Sequence, residues 1–387
     1  MPGIQTGMRY LITLFLFVLH IAAGGAQQAG NDIHGTWTAE IHTGKVYLQV
    51  RTAPPPDWTR SGSWNNDWNM GQSLAVEDLQ GLANSDTFTM ASVKFDLRRE
   101  AGSMAFEGSF RDGRGAGLFT FAPRDAYTGE MRALGYTDDV PVWRRFQLAL
   151  HDVGPKYIRD LKGEGFDKLT LDQVQRAKTH GVTIDYLKEI KGQGFKVAAL
   201  EELVRTRDHG VTGDFVKAMK AEGFTGATLE EFVRLRDHGV TQQFVQDMKK
   251  AGFTGAPLED LVRARDHGVK PEYVQEIRRL GLGVTTLEQF VRLRDHGVTT
   301  EYVKALELQG FKNVPVEDIV RTKDHGVSAE FVADMKEIGL KDLTLPQLVR
   351  LRDHGITPGF VNHARARGYQ TTDPDELVRL KNGGLWK

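Results

Sequence analysis

Apolar and polar positions follow two different periods along this chain. Between residues 35 and 121 they alternate. In VKFDLRR, Val93, Phe95 and Leu97 fall on one side, and Lys94, Asp96 and Arg98 fall on the other. SMAFEGSF repeats the pattern with Met104, Phe106 and Phe110. A two-residue period marks a strand with one buried face. GTWTAEI and KVYLQV are short and rich in β-formers, with Thr43-Gly44 between them as a turn, and GLFTF adds another strand. Ala101-Gly102 and Asp112-Gly113 stand where hairpin turns are needed. The expectation is an antiparallel meander with one apolar and one wet face. Residues 53–72, rich in Pro, Ser, Asn and Gly, read as a loop.

Further along, the period becomes helical and a longer repeat is laid over it. His151, His180, His209, His238, His267, His296, His325 and His354 are spaced by 29 residues, and a glycine series from Gly181 to Gly384 keeps the same step. A typical unit spans residues 228–253. Thr228 is a good N-cap, and Glu231 completes a capping box; Thr170 with Gln173, Thr286 with Gln289 and Thr344 with Gln347 repeat it. Asp373, Pro374 and Glu376 read as the same device in other letters. Leu229, Phe232 and Val233 form an apolar stripe at helical spacing. Gly239 ends the helix in the left-handed conformation, and Val240 packs back on the last turn. A second helix follows, capped by Thr241, buried through Phe244, Val245 and Met248, and closed by Gly252 and Phe253. Pro271 and Pro358 suit its first turn in sister units. Neither helix buries its face alone, so stability has to come from stacking neighbours.

The fold class that follows is α+β, mostly α: a small antiparallel β-domain, then an α-solenoid of 29-residue helix-pair repeats. The β-domain covers residues 31–122. A degenerate capping helix pair covers 123–151, and eight repeats cover 152–384. Residues 1–26 carry Arg9, an apolar run over 11–23 and small residues Gly24, Gly25 and Ala26, the layout of an export signal. Its rival is an uncleaved anchor. No later segment is apolar enough to span a membrane, and the location expected is periplasmic or secreted.

Composition narrows the functional classes. A net charge of −1 leaves no basic footprint for nucleic acid. The absence of cysteine removes disulfides, thiolate metal sites and thiol nucleophiles. There is no His-Glu-x-x-His, no Gly-x-Ser-x-Gly, no phosphate loop and no Ser-x-x-Lys, so the chain reads as a non-enzyme without a cofactor.

The repeated polar letters are the first candidate site. An arginine stands five residues before each glycine, a second base three before and, in most repeats, an aspartate two before. Arg205, Asp208, His209, Arg234, Asp237, His238, Arg263, Asp266, His267, Arg292, Asp295 and His296 make a candidate surface for a charged protein partner. The alternative is a solvated ladder of i,i+3 pairs such as Arg234 with Asp237. Each histidine falls in the last helical turn, where the dipole favours a positive ring. A metal ladder is disfavoured by its ligand set, because no carboxylate or thiolate stands invariantly beside the histidines. The second candidate is a ligand-binding loop built on Trp58, Trp64 and Trp68, which would make the chain a small-ligand sensor or carrier. The rival reading is that these indoles cap one end of the sheet's core.

Gly35-Thr36-Trp37 resembles the start of small calyx-type barrels. VKFDLRREAGSMAFEGSFRDGRGAGLFTFAP, with MRALGY, LALHDV and the LVRLRDHGVT units, resembles the extracytoplasmic C-terminal region of bacterial antirepressor metallopeptidases, membrane proteins of the beta-lactam-sensor type. The likeness covers roughly residues 66–380. That family's peptidase motif, membrane helices and sensor serine are absent here. The resemblance therefore implies a stand-alone relative of the appended domain, and it carries over neither proteolysis nor antibiotic binding.

Overall fold

Alternating side chains become seven antiparallel strands in the computed structural model, which describes residues 32–53, 68–83 and 91–384. The expected export signal and Trp58 and Trp64 lie outside these residues. The strands are β1 (Ile33–His42), β2 (Lys45–Thr52), β3 (Trp68–Ala75), β4 (Leu79–Gln80), β5 (Ala91–Arg99), β6 (Gly102–Arg111) and β7 (Arg114–Pro123). Their order across the sheet is β3-β2-β1-β7-β6-β5-β4. The expected meander is present as β5-β6-β7.

The segment over residues 68–80 serves both ends of the sheet. Its first part pairs with β2 and, after a 3-10 turn at Val76–Asp78, its last two residues pair with β5. The sheet therefore curls. Residues 68–72, expected as loop, belong to β3. Register with the strongly alternating β2 (Met70 opposite Val50, Leu74 opposite Val46) overrides their polar composition.

The buried face holds Trp37, Phe95, Phe106, Phe110 and Phe119. Trp37 meets Phe95 edge-on at 5.3 Å, and Phe95 stacks on Phe106 at 4.8 Å. Two helices follow, α1 (Ala126–Ala133) and α2 (Val142–Leu150). Helix α2 packs on the sheet through Phe146, whose ring lies parallel to Phe119 at 5.7 Å. The first compact unit runs to Pro155, so the pair over residues 123–151 lies within it.

His151, just after α2, is only 9% exposed, and burial aided by Arg144 holds its pKa down at about 4. The unfolded chain, with an ordinary value near 6.5, takes up the proton first. The unit should therefore keep its full stability above about pH 6.5 and lose about 3 kcal/mol as pH falls toward 4. Unfolding midpoints of the parent and of His151→Gln, compared across that window, check this. The parent should lose ground to the variant on acidification.

The second unit, from Lys156 on, contains the repeats. Each repeat holds two nine-residue helices, such as Leu229–Asp237 and Gln242–Lys250. Thr228 and Glu231 form the expected capping box, as do the pairs at Thr170, Thr286 and Thr344. Asp373 departs from it: its carboxylate accepts from the amide of Asp375, one residue short of a box. Gly239 has φ +66°, and the Val240 amide closes the turn on Leu235 O at 2.8 Å. Phe232, Val233, Leu235, Phe244, Val245 and Met248 are buried and join one continuous core with the neighbouring repeats. First helices stack on first helices and second on second.

Helix takes up 49% and strand 17% of the described residues, so far-UV circular dichroism should be dominated by helix. No helix among the described residues is long and apolar enough to cross a membrane.

Candidate functional site

Within the array, the polar positions that recur in every unit turn toward the neighbouring unit. The histidine is the residue just past the end of each first helix. Its Nδ1 meets the aspartate 28 residues on, which ends the next first helix. Six such rungs are present: His180–Asp208, His209–Asp237, His238–Asp266, His267–Asp295, His296–Asp324 and His325–Asp353, at 2.5–2.9 Å. A carboxylate only accepts, so Nδ1 carries the hydrogen and the tautomer is set.

The arginine five before the glycine reaches the acid at the start of the next first helix. Arg205 grips Glu230 with two nitrogens at 2.6 Å each, and Arg176 meets Glu201 at 2.9 Å. Arg234 pairs with Glu259, Arg292 with Glu317 at 2.7 Å and Arg350 with Asp375 at 3.0 Å; Arg263 stands 3.9 Å from Glu288. These guanidiniums hold the carboxyls of Glu201 and Glu230 below their usual range. Arg321 is the exception, because Pro346 occupies the place where its acid would stand.

The second base lies over an aromatic ring of the preceding unit. Arg207 covers Tyr186 at 5.0 Å, Arg236 covers Phe215 at 5.1 Å and Arg294 covers Tyr273 at 5.2 Å. Where that ring is a tyrosine, its hydroxyl donates forward. Tyr186 bonds Val211 O and Tyr273 bonds Val298 O, each at 2.8 Å. Burial pushes both phenols up in pKa, so they remain donors.

Second helices add their own joint. Glu222 accepts from Lys249 at 2.6 Å, Gln246 at 2.7 Å and Gln242 at 3.0 Å, and these bonds, Lys249 foremost, pull its pKa down to about 2.

This geometry corrects one expectation. Arg234 and Asp237 are not partners on one helix face: Arg234 turns forward to Glu259 and Asp237 turns back to His209. A bond across the joint takes the place of the i,i+3 pair because each side chain meets its own partner in the next unit or the one before, Glu259 for Arg234 and His209 for Asp237. Sequence reasoning also missed the acid column of Glu201, Glu230, Glu259, Glu288 and Glu317. Its spacing of 25 residues from the arginines was the available signal.

No group of three or more histidines and carboxylates among the described residues is placed to hold a metal ion. Of the three candidate indoles, Trp68 falls in β3, half-buried and edge-on to Trp143 at 5.3 Å and to Phe146 at 5.6 Å. Comparison with protein-family models and with curated proteins finds no match to this chain.

Proposed function

We propose that the chain is an exported, non-enzymatic interaction or scaffold module that binds a protein partner along the surface of its helix-pair array. The observation that carries this reading is the set of joints itself. Each repeat is joined to the next by a histidine–aspartate rung, an arginine–acid pair or both, which holds a long row of helices in fixed register. A pre-ordered row lets many individually weak contacts add without an ordering cost on binding.

The first helices give a partner a constant band of compensated charge that includes Arg205, Asp208, His209, Arg234, Asp237 and His238. The second helices supply exposed letters that change from unit to unit: Asp214, Gln243 and Glu272 in one column, and Lys250, Arg279 and Leu308 in another. Constant letters set the register of the joints and varied ones distinguish one partner from another. Export rests on the signal-like residues 1–26 and on the resemblance to an extracytoplasmic region.

The test is capture of a partner from an envelope extract on the full chain, followed by cross-linking and mapping. Cross-links should fall within residues 156–384 and span at least two repeats. Cross-links confined to residues 32–155 would defeat the reading.

A further inference from the structure

The histidine–aspartate ladder stops one rung early, and the residue at which it stops is chemically labile. Asp208, Asp237, Asp266, Asp295, Asp324 and Asp353 each end a first helix and each accept from the histidine of the unit before. One repeat further on, the residue that ends the helix Pro374–Asn382 is an asparagine. Its counterpart in the histidine column is His354. Both are exposed, and no hydrogen bond joins them among the described residues. Asn382 is followed by Gly383 and Gly384. Glycine lacks the side chain that hinders attack by the following backbone nitrogen, so an Asn-Gly pair is the sequence in which an asparagine side chain loses its amide most readily.

We propose that Asn382 is a deamidation site whose aspartate product completes a seventh rung with His354. The Gly383 amide nitrogen attacks Cγ of Asn382. A new C–N bond closes a five-membered succinimide, the Cγ–Nδ2 bond breaks, and Nδ2 leaves as ammonia with the proton given up by the Gly383 nitrogen. Water then opens the ring. Addition at the side-chain carbonyl leaves aspartate, and addition at the backbone carbonyl leaves isoaspartate. The net change is one water consumed and one ammonia released, with no oxidant or other co-reactant.

The fold sets the pace of the first step. The Gly383 amide donates to Arg379 O at 2.8 Å, and Gly383 is still helical at φ −73° and ψ 0°. The nitrogen is free to attack only when this last turn opens. A terminal turn opens far more easily than the body of a helix.

The product fits its surroundings. An aspartate at a helix C-terminus opposes the helix dipole. The same is true of all six existing rungs, where the histidine facing the carboxylate offsets it. A carboxylate also accepts from Nδ1 more strongly than an amide oxygen does, because the bond is charge-assisted. The groups around the new charge are favourable: Arg379 and Lys381 lie in the same last turn, with Lys381 over the Phe360 ring. Deamidation would thus fasten the final first helix to the array, whereas the isoaspartate product, with its extra backbone methylene, would end that helix early.

The experiment has two arms on the full chain. In the first, the parent and Gly383→Ala are aged in mildly alkaline buffer and peptide-mapped. Acid at position 382 should accumulate in the parent and much more slowly in the variant. In the second, hydrogen exchange over residues 374–384 is compared for the parent and Asn382→Asp, each with His354 and with His354→Gln. Asn382→Asp should slow exchange by about two- to fivefold, and only where His354 is present. Absence of conversion at Asn382 in the folded chain overturns the site. An equal change in exchange with and without His354 overturns the rung.

Discussion

Replacing Gly117 with alanine is expected to unfold the sheet unit. A Cβ on Gly117 would stand 1.9 Å from Glu107 O and 2.6 Å from the Gly108 Cα. Both obstacles are backbone, so no side-chain rotation relieves the clash. The close approach of β6 and β7 at this point is what lets Trp37 lie against the pair and donate its indole N–H to Glu107 O at 3.1 Å. A Cβ on Gly108 would in turn come 2.8 Å from the Trp37 ring. The strain therefore passes directly into the central aromatic cluster. The loss should exceed about 4 kcal/mol, in the range reserved for core disruption.

Four tryptophans other than Trp37 lie before residue 156, at positions 58, 64, 68 and 143, and one lies near the end at 386. Tryptophan fluorescence thus reports mainly on the first unit, while far-UV circular dichroism reports mainly on the array. In Gly117→Ala the fluorescence transition should move to far lower denaturant or vanish, with the helical signal retained. An unchanged fluorescence midpoint would mean that the close approach is not needed.

Phe290→Ala should open the middle of the array without melting its ends. Phe290 is fully buried and edge-on to Phe253 at 5.8 Å and Tyr273 at 6.2 Å, with the Arg278 guanidinium 5.9 Å from its ring centre. Truncating a buried phenylalanine costs about 3–5 kcal/mol. In a stack where stability is carried by nearest neighbours, that loss is spent locally. Hydrogen exchange should accelerate in the helices between residues 258 and 324, with the helices before residue 222 little changed. Uniform acceleration over the whole array would show a single cooperative block instead.

How much of this was readable in the sequence depends on whether the causes were local. Strand alternation at Val93, Phe95 and Leu97, and the capping box of Thr228 and Glu231, are local patterns, and the fold keeps them. The left-handed turn at Gly239 is likewise a matter of one residue's backbone. Strand β3 was not readable at Asn69, Gly71 or Gln72, because register with β2 creates it. Polar letters are tolerated there because the strand is pinned along its length by Val46, Leu48 and Val50 opposite.

The candidate site was half readable for a similar reason. The 29-residue step exposed every arginine, aspartate and histidine in it. What each one bonds depends on offsets of 25 and 28 residues between adjacent units, and a reading confined to one helix face cannot supply those offsets. The identity of the letters from unit to unit looked like a recognition code. The joints give it a second explanation, since a rung forms only if both of its letters recur.

The central claim is that these constant polar letters couple one repeat to the next. A double-mutant cycle on the full chain tests it most directly. His238→Gln and Asp266→Asn are made singly and together, and Arg234→Gln with Asp237→Asn serves as the matched pair within one helix. The account predicts a coupling of about 0.5–1 kcal/mol for His238 with Asp266, which meet at 2.7 Å across the joint, and none for Arg234 with Asp237. Coupling within the helix and none across the joint would contradict it.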